Sequence, residues 1–133
     1  MSDRVFLDAN ILVSAAWRPR GGLLALWTLP DIQLLTSAYA IVEADRNVGS
    51  AEQRTRLYRL LQPLEIVDEP RPRRLPPTVS LPAKDVPILL AAVDAGATHL
   101  LTGDKDHFGR YYGLSIEGVL ILRPASYIVI RAG

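Results

Sequence analysis

The stretch Lys84-Asp85-Val86-Pro87-Ile88-Leu89-Leu90-Ala91-Ala92-Val93-Asp94-Ala95-Gly96-Ala97-Thr98-His99-Leu100-Leu101-Thr102-Gly103-Asp104 holds a helix, a turn and a strand in succession, and its reading decides the fold. Asp85 to Ala95 is predicted helical: Asp85 sets a negative charge at the positive end of the helix dipole, Pro87 is tolerated in the first turn, and Gly96 stands at the C-cap position. The rest of that helix is hydrophobic. His99 to Leu101 then reads as a strand, and Thr102-Gly103-Asp104 leaves its carboxyl end.

Outward from this block the same alternation recurs. Arg4 to Leu7 is a β-prone run ending at Asp8, and Asn10 to Trp17 reads as the first helix. Gly21 and Gly22 precede a short helix, Leu23 to Thr28, and Pro30-Asp31 turns the chain into a strand, Ile32 to Leu35. Ser37 is placed to cap a helix running to about Val48. Ser50 with Gln53 predicts a capping box for another, ending near Gln62, and the two read as an αα-hairpin. Leu64 to Val67 is a further strand, and the prolines from Pro70 to Pro82 mark a surface loop carrying Arg71, Arg73 and Arg74. A strand around Gly118 to Leu122 follows, and Tyr127 to Ile130 is apolar enough for either strand or helix. Strands separated by helices imply a mostly parallel sheet with helices on both faces, a three-layer α/β/α sandwich over residues 1–133 as one domain.

In such sheets ligands bind beyond the carboxyl ends of the strands. Asp8 and Asp104 both end apolar strands, so the fold is expected to bring them together. Glu43 follows the apolar run Tyr39 to Val42, and Asp85 opens its hydrophobic helix. Each has an ordinary reading: a turn or cap for Asp8 and Asp104, a solvated or paired mid-helix charge for Glu43, a dipole partner for Asp85. The functional reading depends on all of them together.

Composition narrows the chemistry. With 15 Lys and Arg against 14 Asp and Glu, the formal charge is +1, so contact with a polyanion requires a local patch. The absence of cysteine excludes thiolate ligands and disulfides, and only His99 and His107 are available as imidazoles, so oxygen ligands are expected for any metal. The longest apolar stretch, Val86 to Val93, is far short of the about 20 residues that span a bilayer. The amino terminus lacks the pattern of a secretory signal, and a cytoplasmic protein is expected.

At Val5-Phe6-Leu7-Asp8-Ala9-Asn10-Ile11-Leu12-Val13-Ser14, at Ile41-Val42-Glu43, and from Lys84 through Asp104-Lys105-Asp106 the sequence resembles the PIN-domain nucleases, which include the VapC-like toxins of toxin–antitoxin pairs. The resemblance implies that Asp8, Glu43, Asp85 and Asp104 form an acidic quartet, with Asp106 an additional acidic position. It implies Mg²⁺ or Mn²⁺ as cofactor, RNA as substrate, a small antitoxin as partner and a homodimer. Asp45 is a rival for Glu43, and because two residues subtend about 200° on a helix, only one of them can face a common site.

Phosphodiester cleavage calls for a nucleophile and for neutralisation of the scissile phosphate, which hard cations held by carboxylates supply. On this reading Asp8 and Asp104 are the principal ligands, Asp85 completes the set, and Glu43 orients a water. Asn10 and Thr102 would hold carboxylates by hydrogen bonds, with turn chemistry as the alternative. Clustered carboxylates should raise at least one pKa. His107 is expected as a loop residue at the site mouth, His99 as a core or strand-edge residue, and Arg71, Arg73, Arg74 and Lys84 as phosphate contacts or solvated charges. A housekeeping nuclease, a receiver-like phosphotransfer domain and a catalytically silent binding module are the alternative functions.

Overall fold

The structure, a computed structural model, describes residues 2–132. Six strands form one sheet: β1 (Asp3–Leu7), β2 (Ile32–Ser37), β3 (Glu65–Val67), β4 (His99–Leu101), β5 (Ser115–Ile116) and β6 (Val119–Leu122), in the order β3-β2-β1-β4-β6-β5. All pairings are parallel except β5 with β6. The helices are α1 (Ala9–Trp17), α2 (Ala38–Asn47), α3 (Ala51–Leu61), α4 (Val86–Asp94), α5 (Lys105–Phe108) and α6 (Pro124–Ala132).

Alternation along the central strands builds two cores. Phe6, Leu35, Leu100 and Ile121 point to the face covered by α4, where Ile88, Leu89, Ala91 and Ala92 meet them. Val5, Leu7, Leu34, Leu101 and Leu122 point to the opposite face, against Ile11 and Leu12 of α1, Leu57 of α3 and Tyr127 of α6. Successive residues of a strand point to opposite faces, so a strand apolar throughout needs cover on both. That requirement produces the three layers. Each fully buried Leu or Phe contributes about 1.5–3 kcal/mol, which is why β1, with Val5, Phe6 and Leu7 all at 0% exposure, sits in the middle.

Strand order places the site. From β1 the chain steps outward through β2 to β3, then returns to lay β4 on the other flank of β1. The β1/β4 boundary is therefore the point where the winding reverses, and connections depart from it in opposite directions. Helix α2 crosses near this end, with Ala40 in one core and Ala44 in the other.

Several expectations are corrected. The segment predicted as a second helix is a 3-10 helix, Gly22–Thr28. Helices α2 and α3, joined through Val48, Gly49 and Ser50, both lie on α1 and meet each other through side chains of Asp45, Arg54 and Tyr58. The cap of α3 is half a capping box, since Ser50 Oγ accepts from the Gln53 N–H at 3.1 Å but Gln53 Oε1 accepts from Gly49 N–H at 2.6 Å. Tyr127 to Ile130 is helical within α6. The antiparallel β5, joined to β6 through Glu117 (φ 48°) and Gly118 (φ 87°), was not foreseen; positive φ at both turn positions suits the right-handed twist of a tight hairpin.

Candidate metal centre

Asp8 ends β1 and caps α1. Its Oδ1 accepts from the Ala9 N–H at 2.7 Å, while Oδ2 accepts from the Thr102 hydroxyl at 2.8 Å and from Asn10 Nδ2 at 3.2 Å. Thr102 Oγ1 in turn accepts from the Asp104 N–H at 3.1 Å, and Asn10 Oδ1 accepts from the Gly103 N–H at 2.8 Å. The turns after β1 and β4 are thus joined side chain to backbone. Thr102 reaches across from the β4 turn to hold the Asp8 carboxylate, whereas Asn10 holds it from within the same turn and reaches across to the Gly103 N–H.

Asp85 stands at the N-cap position of α4 without capping it, is 7% exposed, and its Oδ2 is buried with no hydrogen-bond partner. Asp104 caps α5 by accepting the His107 N–H at 3.2 Å through Oδ1, and its Oδ2 lies 2.7 Å from His107 Nδ1. The same ring nitrogen is 3.0 Å from Asp85 Oδ2, an ion-pair contact that lacks hydrogen-bond alignment. Asp85, Asp104 and His107 each offer one ligand atom, all within 4.8 Å of one another. This corrects one part of the expectation for His107, which belongs to a short helix rather than a loop and stands between two carboxylates of the cleft. The signal was in the sequence: Asp104 and His107 are three apart, the spacing that sets two side chains on one side of a helical turn.

A cleft of ≈ 570 Å³ is lined by Asp8, Glu43, Asp85 and Asp104, with Asn10, Asn47 and Lys84 beside them. Glu43 comes from α2. Asp45, its rival, points away to α3, where Arg54 Nε and the Tyr58 hydroxyl each donate to it at 2.9 Å. Asp106 is exposed and does not line the cleft. Lys84 does. Arg73 instead pairs with Asp94 at 2.7 Å at the far end of α4, about 14 Å along the axis from Asp85 at 1.5 Å per residue. A larger cleft of ≈ 770 Å³ opens there, where Arg4 pairs with Glu65 and Arg73 with Asp94, and Asp68, Glu69 and Arg71 complete the charged lining.

Burial drives the Asp8 carboxyl up to about 6; hydrogen bonds from Thr102 and Ala9 oppose the rise, and the charges of Asp85 and Asp104 add to it. Asp85 is raised by burial too, against the pull of His107 and with Asp104 adding to the rise. A pocket that lifts two carboxylic acids and leaves one buried carboxylate oxygen unpartnered is short of positive charge. The donor set therefore fits a divalent cation, which would relieve both penalties.

Carboxylates gathered over the switch point of a parallel sheet define an α/β domain with an acidic site. The chain belongs to the PIN domain family, whose sequence profile matches residues 4–106. No curated protein matches it. Among solved structures the chain is similar to VapBC2 from Rickettsia felis bound to a DNA fragment from its promoter, with TM-score 0.63, 17% identity and coverage of 90% of this chain and 98% of that one. It is also similar to VapBC-1 from nontypeable Haemophilus influenzae, with TM-score 0.59, 17% identity and coverage of 92% and 98%. Among the described residues no helix is long and apolar enough to cross a membrane.

Proposed function

We propose that this chain is a divalent-metal-dependent endoribonuclease and the toxin of a toxin–antitoxin pair, acting in the cytoplasm. The observation that carries the reading is the convergence of Asp8, Glu43, Asp85 and Asp104 on one cleft at the sheet's switch point, with Asp85 Oδ2 left unpartnered. Membership of the PIN domain family, whose members are generally nucleases, supports it.

Asp8, Asp85 and Asp104 would hold Mg²⁺ or Mn²⁺, which when bound neutralises charge on the scissile phosphate and makes a water more acidic. Glu43, across the cleft, would take a proton from the attacking water as the water oxygen bonds to phosphorus. The P–O ester bond opposite then breaks, and the leaving oxygen takes a proton from solvent water. Thr102 and Asn10 keep the Asp8 carboxylate fixed during this displacement, and Lys84 at the rim attracts the phosphate backbone.

The antitoxin reading is supported by the two similar structures, both described as VapBC assemblies. A small antitoxin would act by covering the acidic cleft, and the family likeness points to a homodimer as the working form. The test expresses the chain with and without the neighbouring small reading frame, sequences RNA ends, and assays Mn²⁺-dependent RNA cleavage by Asp8→Asn and Asp104→Asn. New RNA ends that disappear on co-expression, and inactive but folded variants, are expected. Full activity in either variant refutes the site; cleavage without a growth effect leaves a nuclease that is not a toxin; no cleavage at all leaves a silent binding module.

A further inference from the structure

We infer that His107 is itself a metal ligand, so that the centre joins a nitrogen donor to the carboxylates of Asp85 and Asp104 and prefers Mn²⁺ and similar transition ions to Mg²⁺. The inference rests on the metal-dependent reading above and specifies its cofactor.

The geometry is close to what coordination requires. Ligands about 2.1 Å from a cation at right angles to each other lie about 3 Å apart. His107 Nδ1 is 3.0 Å from Asp85 Oδ2 and 2.7 Å from Asp104 Oδ2, so a cation can be accepted with small side-chain adjustments. The Asp85 oxygen facing this position is buried and lacks a hydrogen bond, which a second carboxylate cannot remedy and a cation can. The ring is also held in place. Helix α5 is anchored by the Asp104 cap and by Phe108, at 0% exposure, so the imidazole moves only by rotating about its own side-chain bonds. Nδ1 lies between the two carboxylates, where its lone pair can face an ion that they share.

Selectivity follows from the donor. Mg²⁺ binds oxygen and gives up its waters reluctantly, whereas imidazole is a good donor to first-row transition ions. Substituting one nitrogen into an oxygen set therefore handicaps Mg²⁺ relative to Mn²⁺ or Co²⁺.

The test uses the full chain and two readouts that do not involve cleavage. Calorimetric titration with Mn²⁺, Co²⁺ and Mg²⁺ of the wild type, His107→Ala and His107→Gln should show the transition ions binding more tightly to the wild type. Loss of the ring should cost at least about tenfold in Mn²⁺ affinity, the lower bound for removing even an outer partner of a metal ligand, and much less for Mg²⁺. In the wild type, Co²⁺ should move the His107 ring signals far downfield by contact through a metal–nitrogen bond, a shift that a ring merely nearby does not show, while those of His99, the only other histidine, show no such contact shift. A His107→Ala that binds Mn²⁺ as tightly as the wild type, or more tightly, makes the ring a displaceable plug and overturns the inference, as do His107 ring signals without a contact shift in the Co²⁺-bound protein. The ring readout needs no variant, so a misfolded substitution does not spoil the test. A wild type that binds no divalent ion overturns the metal-dependent reading as well; binding without a His107 contribution overturns the ligand alone.

Discussion

Replacing Asp8 with asparagine should stabilise the metal-free protein at neutral pH while destroying its proposed activity. Asp8 titrates at about 6 in the fold against 3.8 for a free carboxyl, so the folded chain holds this proton more tightly than the unfolded one. Below pH 3.8 both states are protonated and Asp8 exacts no penalty. As pH rises through about 6 the fold must ionise a buried group, and the stability present in acid is lost. About two pKa units at about 1.36 kcal/mol each put the loss near 3 kcal/mol. Asparagine is neutral at every pH and avoids it. Some of the gain is offset, because the new amide nitrogen faces Asn10 Nδ2, a donor against a donor, at a cost of about 1 kcal/mol. The net expectation at pH 7.5 in EDTA is about 2 kcal/mol, or roughly 6–10 °C in Tm for a chain of this size. Urea denaturation at pH 4 and pH 7.5 measures it. Asp85, also raised, is present in both proteins, so its own burial cancels and the difference between them carries Asp8 together with its charge coupling to Asp85. Mn²⁺ should stabilise the wild type at pH 7.5 more than Asp8→Asn, which loses one carboxylate but keeps Asp85, Asp104 and His107. If the variant loses as much stability as the wild type between those pH values, or is the less stable at pH 7.5, the account of Asp8 is wrong.

Glu43→Gln should lower RNA cleavage by roughly 10²–10⁴-fold, the range for losing a positioned acid–base group, with Mn²⁺ affinity much less affected. Asp45→Asn, which disturbs only the contacts to Arg54 and Tyr58, should leave cleavage intact, and the reverse pattern would exchange the two residues. Thr102→Val keeps the shape of a fully buried side chain but removes the 2.8 Å bond to Asp8, so the Asp8 pKa should climb further. Mn²⁺ binding should then weaken by about 10–100-fold at constant pH, and unchanged affinity would reduce Thr102 to turn chemistry.

Most of the architecture was legible because the signals that specify it are local. Short apolar runs such as Val5-Phe6-Leu7 and Val119-Leu120-Ile121-Leu122 mark strands buried on both faces, and Ser37, Gly96 and the N-terminal position of Pro87 mark helix ends, whatever lies beyond them. What escaped was too short to carry a period. The two residues of β5 show no alternation, and the four of α5 present no complete face, so neither announces itself until β6 and the Asp104 cap are in place.

The sequence by itself determined the parallel α/β sandwich and the inventory of carboxylates that end its strands, because burial and capping act over a few neighbouring residues. Tertiary structure alone decided how they meet. That β1 and β4 are neighbours, that Glu43 rather than Asp45 faces the cleft because Arg54 and Tyr58 of α3 claim the other, and that His107 bridges Asp85 and Asp104, are facts about groups many residues apart. Their separations are set by strand order and helix rotation, and no local propensity encodes either.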